Sequence, residues 1–170
     1  MSASQPFGRT VRTARLLLVP VGWTDLGDII ALKSDAGAFG LMLGGVRSRS
    51  QATDEMAEDI AFWGKRRVGI FTIREDGRFQ GMTGMHERPD GLGLGLRFAI
   101  WAQARGRGVA REAAAAALRF AHDQGERRVV GVARESNFAS RTILGGIGMN
   151  VTGRFERAGQ TMLIYESVRD

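Results

Sequence analysis

Cysteine is absent from this chain of 170 residues, and histidine occurs only as His86 and His122. The absence of cysteine excludes disulfides, thiolate metal ligands and a cysteine nucleophile, and it fits a cytoplasmic protein. Two histidines that lie far apart in the sequence argue against a zinc site of the usual kinds. We therefore expect a site that contains no metal and no thiol side chain.

Lysine is also scarce, since only Lys33 and Lys65 occur among the 24 cationic residues, and the net charge is +6. Arginine suits phosphate recognition because its planar guanidinium binds oxyanions through two parallel hydrogen bonds. A genome whose base composition favours arginine codons would give the same bias. A basic charge also makes nucleic acid a possible partner. The arginines, however, are spread along the chain rather than gathered in one block, so we predict no nucleic-acid partner.

Long hydrophobic runs are missing as well, because no segment approaches the roughly 20 apolar residues that span a bilayer. Residues 16–21 are apolar, but they contain Pro20 and lack the cleavage site of a signal peptide. We therefore expect a cytoplasmic location and no membrane partner. The length and the apolar content of 44% predict one domain over residues 1–170 with a sizeable core, in which residues 1–12 are flexible.

Hydrophobic periodicity and turn residues predict a single domain of the α/β or α+β class. The predicted strands cover residues 16–19, 68–74, 79–86, 92–101, 129–133, 151–156 and 161–168. The predicted helices follow Thr24, cover residues 39–43, run from Ser48 or Ser50 to Gly64, and cover residues 109–124 and 137–144. Asp76-Gly77 marks a hairpin turn between the second and third strands.

A turn rich in glycine and arginine precedes the predicted helix at residues 109–124, and it reads Gln-Ala-Arg-Gly-Arg-Gly-Val-Ala over residues 103–110. Gly106 and Gly108 permit turn dihedrals and the close approach of a ligand. The first N–H groups of a helix have no partner within it, and they favour an anion together with the helix dipole. Arg105, Arg107 and Arg111 add positive charge. The turn therefore fits a diphosphate site, although a glycine turn that caps an ordinary amphipathic helix would look the same.

Two other phosphate-binding loops do not fit the sequence. A P-loop ends in Gly-Lys-Ser/Thr, and the chain contains no such tripeptide. The glycines Gly91, Gly93 and Gly95 have the wrong spacing for a dinucleotide-binding fingerprint, and no helix is predicted to begin there. The remaining candidate is Gln103-x-x-Gly106-x-Gly108, which lies between a predicted strand and a predicted helix.

This pattern resembles the Gln/Arg-x-x-Gly-x-Gly/Ala motif of the GNAT superfamily of N-acetyltransferases. Three further segments resemble the branch of that family that contains the ribosomal-protein N-terminal acetyltransferases. They are Thr13-Ala14-Arg15-Leu16 on the first strand, Asn137-Phe138-Ala139-Ser140 at the start of the last helix, and Gly148-Met149 after it. The resemblance covers the chain from about residue 10. It implies a mixed, mostly antiparallel sheet of about six to seven strands flanked by helices, with two strands splayed apart at the cofactor.

The resemblance also implies an activity, a cofactor and the residues that bind it. The implied reaction is direct transfer of an acetyl group from acetyl-CoA to a primary amine on a protein N-terminus or a small molecule. Homodimers are common in the family. The backbone around Phe98, Ala99, Ile100 and Trp101 would bind the pantetheine, and Asn137 and Ser140 would face the cofactor from the last helix. The pyrophosphate would lie on Gln103, Arg105, Gly106, Arg107, Gly108, Val109 and Ala110.

The chain departs from the family pattern at the catalytic acid and base. Leu144 stands where many members have a tyrosine that protonates the leaving thiolate, so Ser140 becomes the candidate acid. The strand at residues 92–101 lacks the glutamate that often serves as base. His86 is a candidate base, since an imidazole with an ordinary pKa near 6.5 can accept a proton from an ammonium group. Glu87 and Glu156 are further candidates. A water chain is the alternative, and a catalytically silent domain that binds CoA would also lack these groups.

The acceptor pocket of this family is built mostly by the first helices and the last strands. The segment from residue 22 to residue 63 would therefore form much of it. This segment contains four large apolar residues and three acids that suit an amine, although the same residues would equally serve as core: Trp23, Phe39, Met42, Trp63, Asp35, Asp54 and Glu55.

Overall fold

The structure is a computed structural model that describes residues 9–42 and 44–170. Residues 1–8 and Leu43, at which the predicted short helix ends, lie outside the described residues. The strands are β1 (Val11–Arg12), β2 (Leu17–Pro20), β3 (Ile70–Glu75), β4 (Arg78–Glu87), β5 (Leu94–Ile100), β6 (Arg128–Arg134), β7 (Asn150–Arg157) and β8 (Gln160–Val168). The helices are α1 (Leu26–Ser34), α2 (Ala36–Phe39), α3 (Arg49–Arg66), α4 (Val109–Asp123) and α5 (Phe138–Gly146).

The strands of the described chain form one eight-stranded sheet in the order β1-β2-β3-β4-β5-β6-β8-β7. Neighbouring strands are antiparallel except for β5 and β6, which are parallel and share only the pair Gly95 and Val130. The predicted mixed, mostly antiparallel sheet with one splayed pair is therefore confirmed. The additional strand is β1, where Val11 and Arg12 pair with Leu18 and Leu17. The prediction of a flexible segment as far as residue 12 is consequently wrong for these two residues.

Helix α3 begins with a reciprocal cap and is longer than predicted. The amide of Gln51 donates to Ser48 Oγ at 3.1 Å, and the amide of Ser48 donates to Gln51 Oε1 at 2.9 Å. Gly64 does not end the helix, contrary to the prediction. The positive charges of Lys65 and Arg66 in the last turn interact favourably with the negative end of the helix dipole. The residue that closes the helix is Arg67, which is left-handed with φ at +67°.

The core joins α3 and α4 to the sheet through three aromatic rings. Trp63 on α3, Phe71 on β3 and Phe120 on α4 meet edge to face, with ring centroids 5.0 to 6.0 Å apart. The small-residue face predicted on α4 is buried, and it comprises Ala110, Ala113, Ala114, Ala117, Leu118 and Ala121. Small side chains let the helix approach β4 and β5 closely, so α4 begins beside the end of β5.

Candidate active site

A cavity of about 1070 Å³ opens where β5 and β6 diverge. Its walls come from α2, α3, β5, the turn before α4, β6 and α5. Small-molecule sites usually occupy about 300–1,000 Å³, so the cavity has room for a large ligand. Most of the residues predicted to bind the cofactor lie on its walls: Phe98, Ala99, Ile100, Arg105, Gly106, Gly108, Val109, Ala110, Asn137 and Ser140. Trp101, Gln103 and Arg107 lie outside the described lining.

The N-terminus of α4 faces this cavity with free N–H groups. Gly108 is the residue before the helix, it has φ at +76°, and it offers no side chain to cap the helix. The first capping bond runs from the amide of Glu112 to the carbonyl of Gly108 at 3.0 Å. Within the described chain, the amides of Val109, Ala110 and Arg111 therefore lack an acceptor. A helix end with this geometry favours an anion.

Three arginines surround the turn, but they differ in position. Arg105 donates to the carbonyl of Gly37, Arg111 donates to that of Gly146 at 3.0 Å, and both line the cavity. Arg107 instead pairs with Glu75 at 2.9 Å, and the guanidinium of Arg107 lowers the pKa of that carboxyl. The side chain of Arg107 is therefore engaged away from the cavity, while Arg105 and Arg111 keep their charge beside it.

Thr13 and Arg15 make hydrogen bonds to this turn and to the first turn of α4. Arg15 Nε donates to Glu112 Oε1 on α4 at 2.8 Å, and its guanidinium also donates to the carbonyl of Arg107. Thr13 donates its hydroxyl proton to the same glutamate. Thr13 and Arg15, which belong to the motif before β2, therefore fix the start of α4, although the turn that they contact lies some 90 residues later in the chain.

The edge of β5 that faces β6 is open to the cavity. All seven residues of β5 pair with β4, whereas only Gly95 pairs with β6. Residues of an antiparallel strand direct their N–H and C=O groups alternately to the two sides. The groups between Leu96 and Ile100 that face β6 therefore have no strand partner in the described sheet, and an extended ligand could pair with them.

Helix α5 contributes Asn137 and Ser140 to the opposite wall. Asn137 Oδ1 accepts from the amide of Ser140 at 3.2 Å, so Asn137 caps the helix. The hydroxyl of Ser140 makes no hydrogen bond within the described residues. Leu144, at the family's tyrosine position, is 2% exposed and packs on Gly131. The single tyrosine, Tyr165, accepts a hydrogen bond from Arg141 at 3.2 Å and lies outside the described lining.

Comparison with known proteins decides the family. A family model described as "Acetyltransferase (GNAT) domain" matches residues 15–150, which is most of the chain. The chain belongs to the GNAT acetyltransferase family. A search among curated proteins finds no match.

Solved GNAT structures share the fold of this chain. A GnaT-family acetyltransferase from Bordetella pertussis aligns with a TM-score of 0.82 and 23% identity, over 92% of this chain and 98% of that one. An acetyltransferase from Salmonella typhimurium that modifies the N-terminal serine of the ribosomal protein L7/L12 aligns with a TM-score of 0.78 and 15% identity, over 93% and 97%. RimL in complex with coenzyme A aligns with a TM-score of 0.77 and 14% identity, over 94% and 97%. At these identities the likeness supports the fold alone.

His86, the base candidate in this GNAT chain, lines the cavity but binds protons weakly. Arg97 Nη2 lies 3.2 Å from His86 Nδ1, and because arginine can only donate, the imidazole accepts. Burial and the charges of Arg97 and Arg88 lower the pKa of His86 to about 3. The imidazole is therefore neutral at physiological pH, and this environment disfavours its use as a general base.

Asp59 is a buried acid of the cavity wall that the sequence did not reveal. It lines the cavity and is 9% exposed. Of the acids that were named instead, Glu55 lines the cavity, Asp35 caps α2 and Asp54 is exposed outside the described lining. A signal was present, because Asp59 lies on the buried stripe of α3 between Met56 and Trp63. An acid at a core position of an amphipathic helix usually has a partner or a function.

No described helix is long and apolar enough to cross a membrane. The described residues also contain no group of three histidines, aspartates or glutamates placed to hold a metal ion.

Proposed function

We propose that this GNAT domain, spanning residues 1–170, transfers the acetyl group of acetyl-CoA directly to a primary amine. The observation that carries the proposal is the meeting of two features in one cavity. The open edge of β5 leads to the free N-terminus of α4. An extended, amide-containing arm and a diphosphate are the two chemical parts that such a groove accepts.

The residues of the cavity suit both the pyrophosphate and the pantetheine arm of acetyl-CoA. The amides of Val109, Ala110 and Arg111 would hold the pyrophosphate, and Arg105 would add charge. The backbone from Phe98 to Ile100 would pair with the amides of the pantetheine arm, which places the thioester in the gap between β5 and β6. A free N–H of this edge would donate to the thioester oxygen as negative charge develops there.

Catalysis would depend chiefly on positioning in a site that excludes water. Ser140 would protonate the leaving sulfur, and this role is supported by its place in the cavity lining and by a hydroxyl that makes no hydrogen bond within the described chain. Asn137 would face the cofactor and fix the first turn of α5 through its bond to the Ser140 amide. Neither role requires a covalent bond between enzyme and acetyl group.

The acceptor would enter from the side of α2 and α3. Of the apolar residues expected for the acceptor pocket, Phe39 and Met42 line the cavity, whereas Trp23 and Trp63 lie outside its described lining. The Salmonella typhimurium neighbour acts on the N-terminal serine of a ribosomal protein, so a protein N-terminus is one candidate and a small-molecule amine is the other. A homodimer stays a prediction that sedimentation of the purified protein tests.

The test is release of CoA thiol from acetyl-CoA in the presence of a panel of amines. The chain has no cysteine, so a thiol-trapping dye reports only released CoA. The panel comprises peptides with N-terminal serine, alanine or methionine, spermidine and kanamycin, with product mass confirmed by mass spectrometry. Turnover with one class supports the proposal. Binding of acetyl-CoA without turnover across the panel would favour a silent CoA-binding domain, and absence of binding would overturn the proposal.

A further inference from the structure

Asp59 stands apart from every other acid of the cavity because it is buried without a partner. It is 9% exposed and makes no hydrogen bond or ion pair with the described residues. No side-chain nitrogen or oxygen of the described chain is both fully buried and unbonded. The carboxylate oxygens of Asp59 must therefore reach open space, and the open space beside this residue is the cavity that it lines.

The neighbouring acids of α3 are engaged or solvated. Glu55, one helical turn before Asp59, accepts from Lys33 Nζ at 2.8 Å and from Arg47 Nε at 2.7 Å. Lys33 is fully buried, so the carboxylate of Glu55 is needed to neutralise its charge. Glu58 lines the cavity but is exposed. Among the acids of the described lining, Asp59 is the one that is buried and has no partner.

The surroundings of Asp59 make it a stronger base than an ordinary aspartate. Burial raises its pKa from 3.8, and the charges of Arg97 and Lys33 oppose that rise while Glu55 and Glu58 reinforce it. His86, which contacts Arg97, is neutral and adds no charge. A carboxylate whose pKa lies closer to the working pH accepts a proton more effectively in a transition state.

Asp59 lines the same cavity as Phe98, Ala99 and Ile100, the part of the open β5 edge assigned above to the pantetheine arm. Arg97, whose charge acts on Asp59, immediately precedes these residues on β5. We propose that Asp59 receives the ammonium group of the acceptor and is the general base that removes its proton. This inference rests on the proposed acetyl transfer and deepens it, since it assigns the base that the family pattern leaves open in this chain.

The reaction balances with Asp59 in this role. The carboxylate takes one proton from the ammonium group, which leaves a neutral amine with a free electron pair. The nitrogen forms a bond to the acetyl carbonyl carbon, and the C–S bond breaks with its electron pair on sulfur. A second nitrogen proton passes to the sulfur, through Ser140 in our proposal, and gives the CoA thiol. Asp59 then releases its proton to water, so one ammonium ion and acetyl-CoA yield the acetylated amine, CoA and a proton.

The test compares wild type with Asp59→Asn, using the best amine of the panel described above. We expect kcat to fall about 100-fold or more, which is typical for loss of a general base, while the Kd of acetyl-CoA stays unchanged. The pH profile is the deciding readout. Wild-type kcat should reach a plateau above the pKa of Asp59. The kcat of the variant should keep rising in proportion to the free amine, because only an already neutral acceptor reacts.

Two further variants make the result specific. Asp123→Asn makes the same chemical change at an exposed carboxylate outside the described lining of the cavity and should behave as wild type. Asp59→Glu keeps a carboxylate at the site, so it should keep the plateau even if Asp59→Asn does not fold. Loss of the plateau in Asp59→Glu would contradict the assignment. So would an Asp59→Asn variant that keeps kcat and pH profile, or that only raises KM.

The outcomes also separate this inference from the proposed function. A wild-type protein that binds no acetyl-CoA, or that binds it without turnover, overturns both. A wild-type protein that acetylates an amine, together with an equally active Asp59→Asn variant, overturns the role of Asp59 alone.

Discussion

Gly108→Ala should weaken acetyl-CoA binding much more than its effect on stability would suggest. Gly108 has φ at +76°, a conformation that costs a residue with a Cβ about 1–2 kcal/mol. In a domain of this size that cost lowers Tm by about 2–8 °C. An alanine that relaxes towards negative φ turns the first amides of α4 away from the cavity. Loss of one charge-assisted hydrogen bond to the pyrophosphate, worth about 1.5–3 kcal/mol, weakens binding about 10- to 150-fold.

Gly77→Ala is the matched control for this change. Gly77 has φ at +77° in the β3–β4 hairpin, with no atom within 4 Å of an added Cβ, and it lies outside the described lining of the cavity. Its replacement imposes the same backbone strain without touching the turn before α4. Both variants should therefore lose similar stability by thermal denaturation, while only Gly108→Ala loses affinity in calorimetric titration with acetyl-CoA.

Equal affinity of the two variants for acetyl-CoA would refute the reasoning. It would mean that the helix end does not hold the pyrophosphate, whatever the melting temperatures show. A Gly108→Ala variant that loses affinity only in proportion to its unfolded fraction would lead to the same conclusion.

Three further predictions concern the acid, the buried histidine and the core. Ser140→Ala should lower kcat about 100-fold with an unchanged Kd for acetyl-CoA, and an unaltered kcat in the thiol-release assay would remove Ser140 from the mechanism. The fold should lose stability as pH falls from 6.5 towards 3, because His86 has a folded pKa of about 3 and the unfolded chain takes up the proton first. In urea denaturation across that range, the free energy of unfolding should fall less steeply with decreasing pH in His86→Gln than in His122→Gln. Equal pH dependence of the two variants would contradict the lowered pKa of His86. Phe71→Ala should lower the free energy of unfolding by about 3–5 kcal/mol, since the ring is 1% exposed between Trp63 and Phe120. Phe138→Ala, at 70% exposure, should change it by less than about 0.5 kcal/mol, and a similar loss in both variants would argue against the aromatic core.

The order of elements was predictable because it depends on local patterns. The Asp76-Gly77 turn adopts positive φ at both residues, as a two-residue hairpin requires. The alanine face of α4 is buried as its spacing predicts. The predicted end of α3 at Gly64 was wrong, because glycine only lowers the helix propensity at that position. The helix ends instead at the left-handed Arg67, after a last turn whose positive charges favour the helix dipole.

The candidate site was predictable where a backbone motif forms it and not where side chains meet across the fold. The spacing of Gly106 and Gly108 predicted a turn before α4, and the family resemblance, rather than the spacing, assigned a diphosphate to it. The pairing of Arg107 with Glu75 could not be predicted, because these residues are brought together by the β3–β4 hairpin and the start of α4. The raised pKa of Asp59 and the low pKa of His86 depend on burial, and burial arises only in the folded chain.

Calorimetric titration of the purified protein with acetyl-CoA tests the central claim most directly. We predict one site per chain with micromolar affinity, from the open β5 edge, the free N-terminus of α4 and the charges of Arg105 and Arg111. CoA should compete for this site, and Gly108→Ala but not Gly77→Ala should weaken binding to it. Absence of binding, or binding that is insensitive to Gly108→Ala, would contradict the assignment of this cavity to acetyl-CoA.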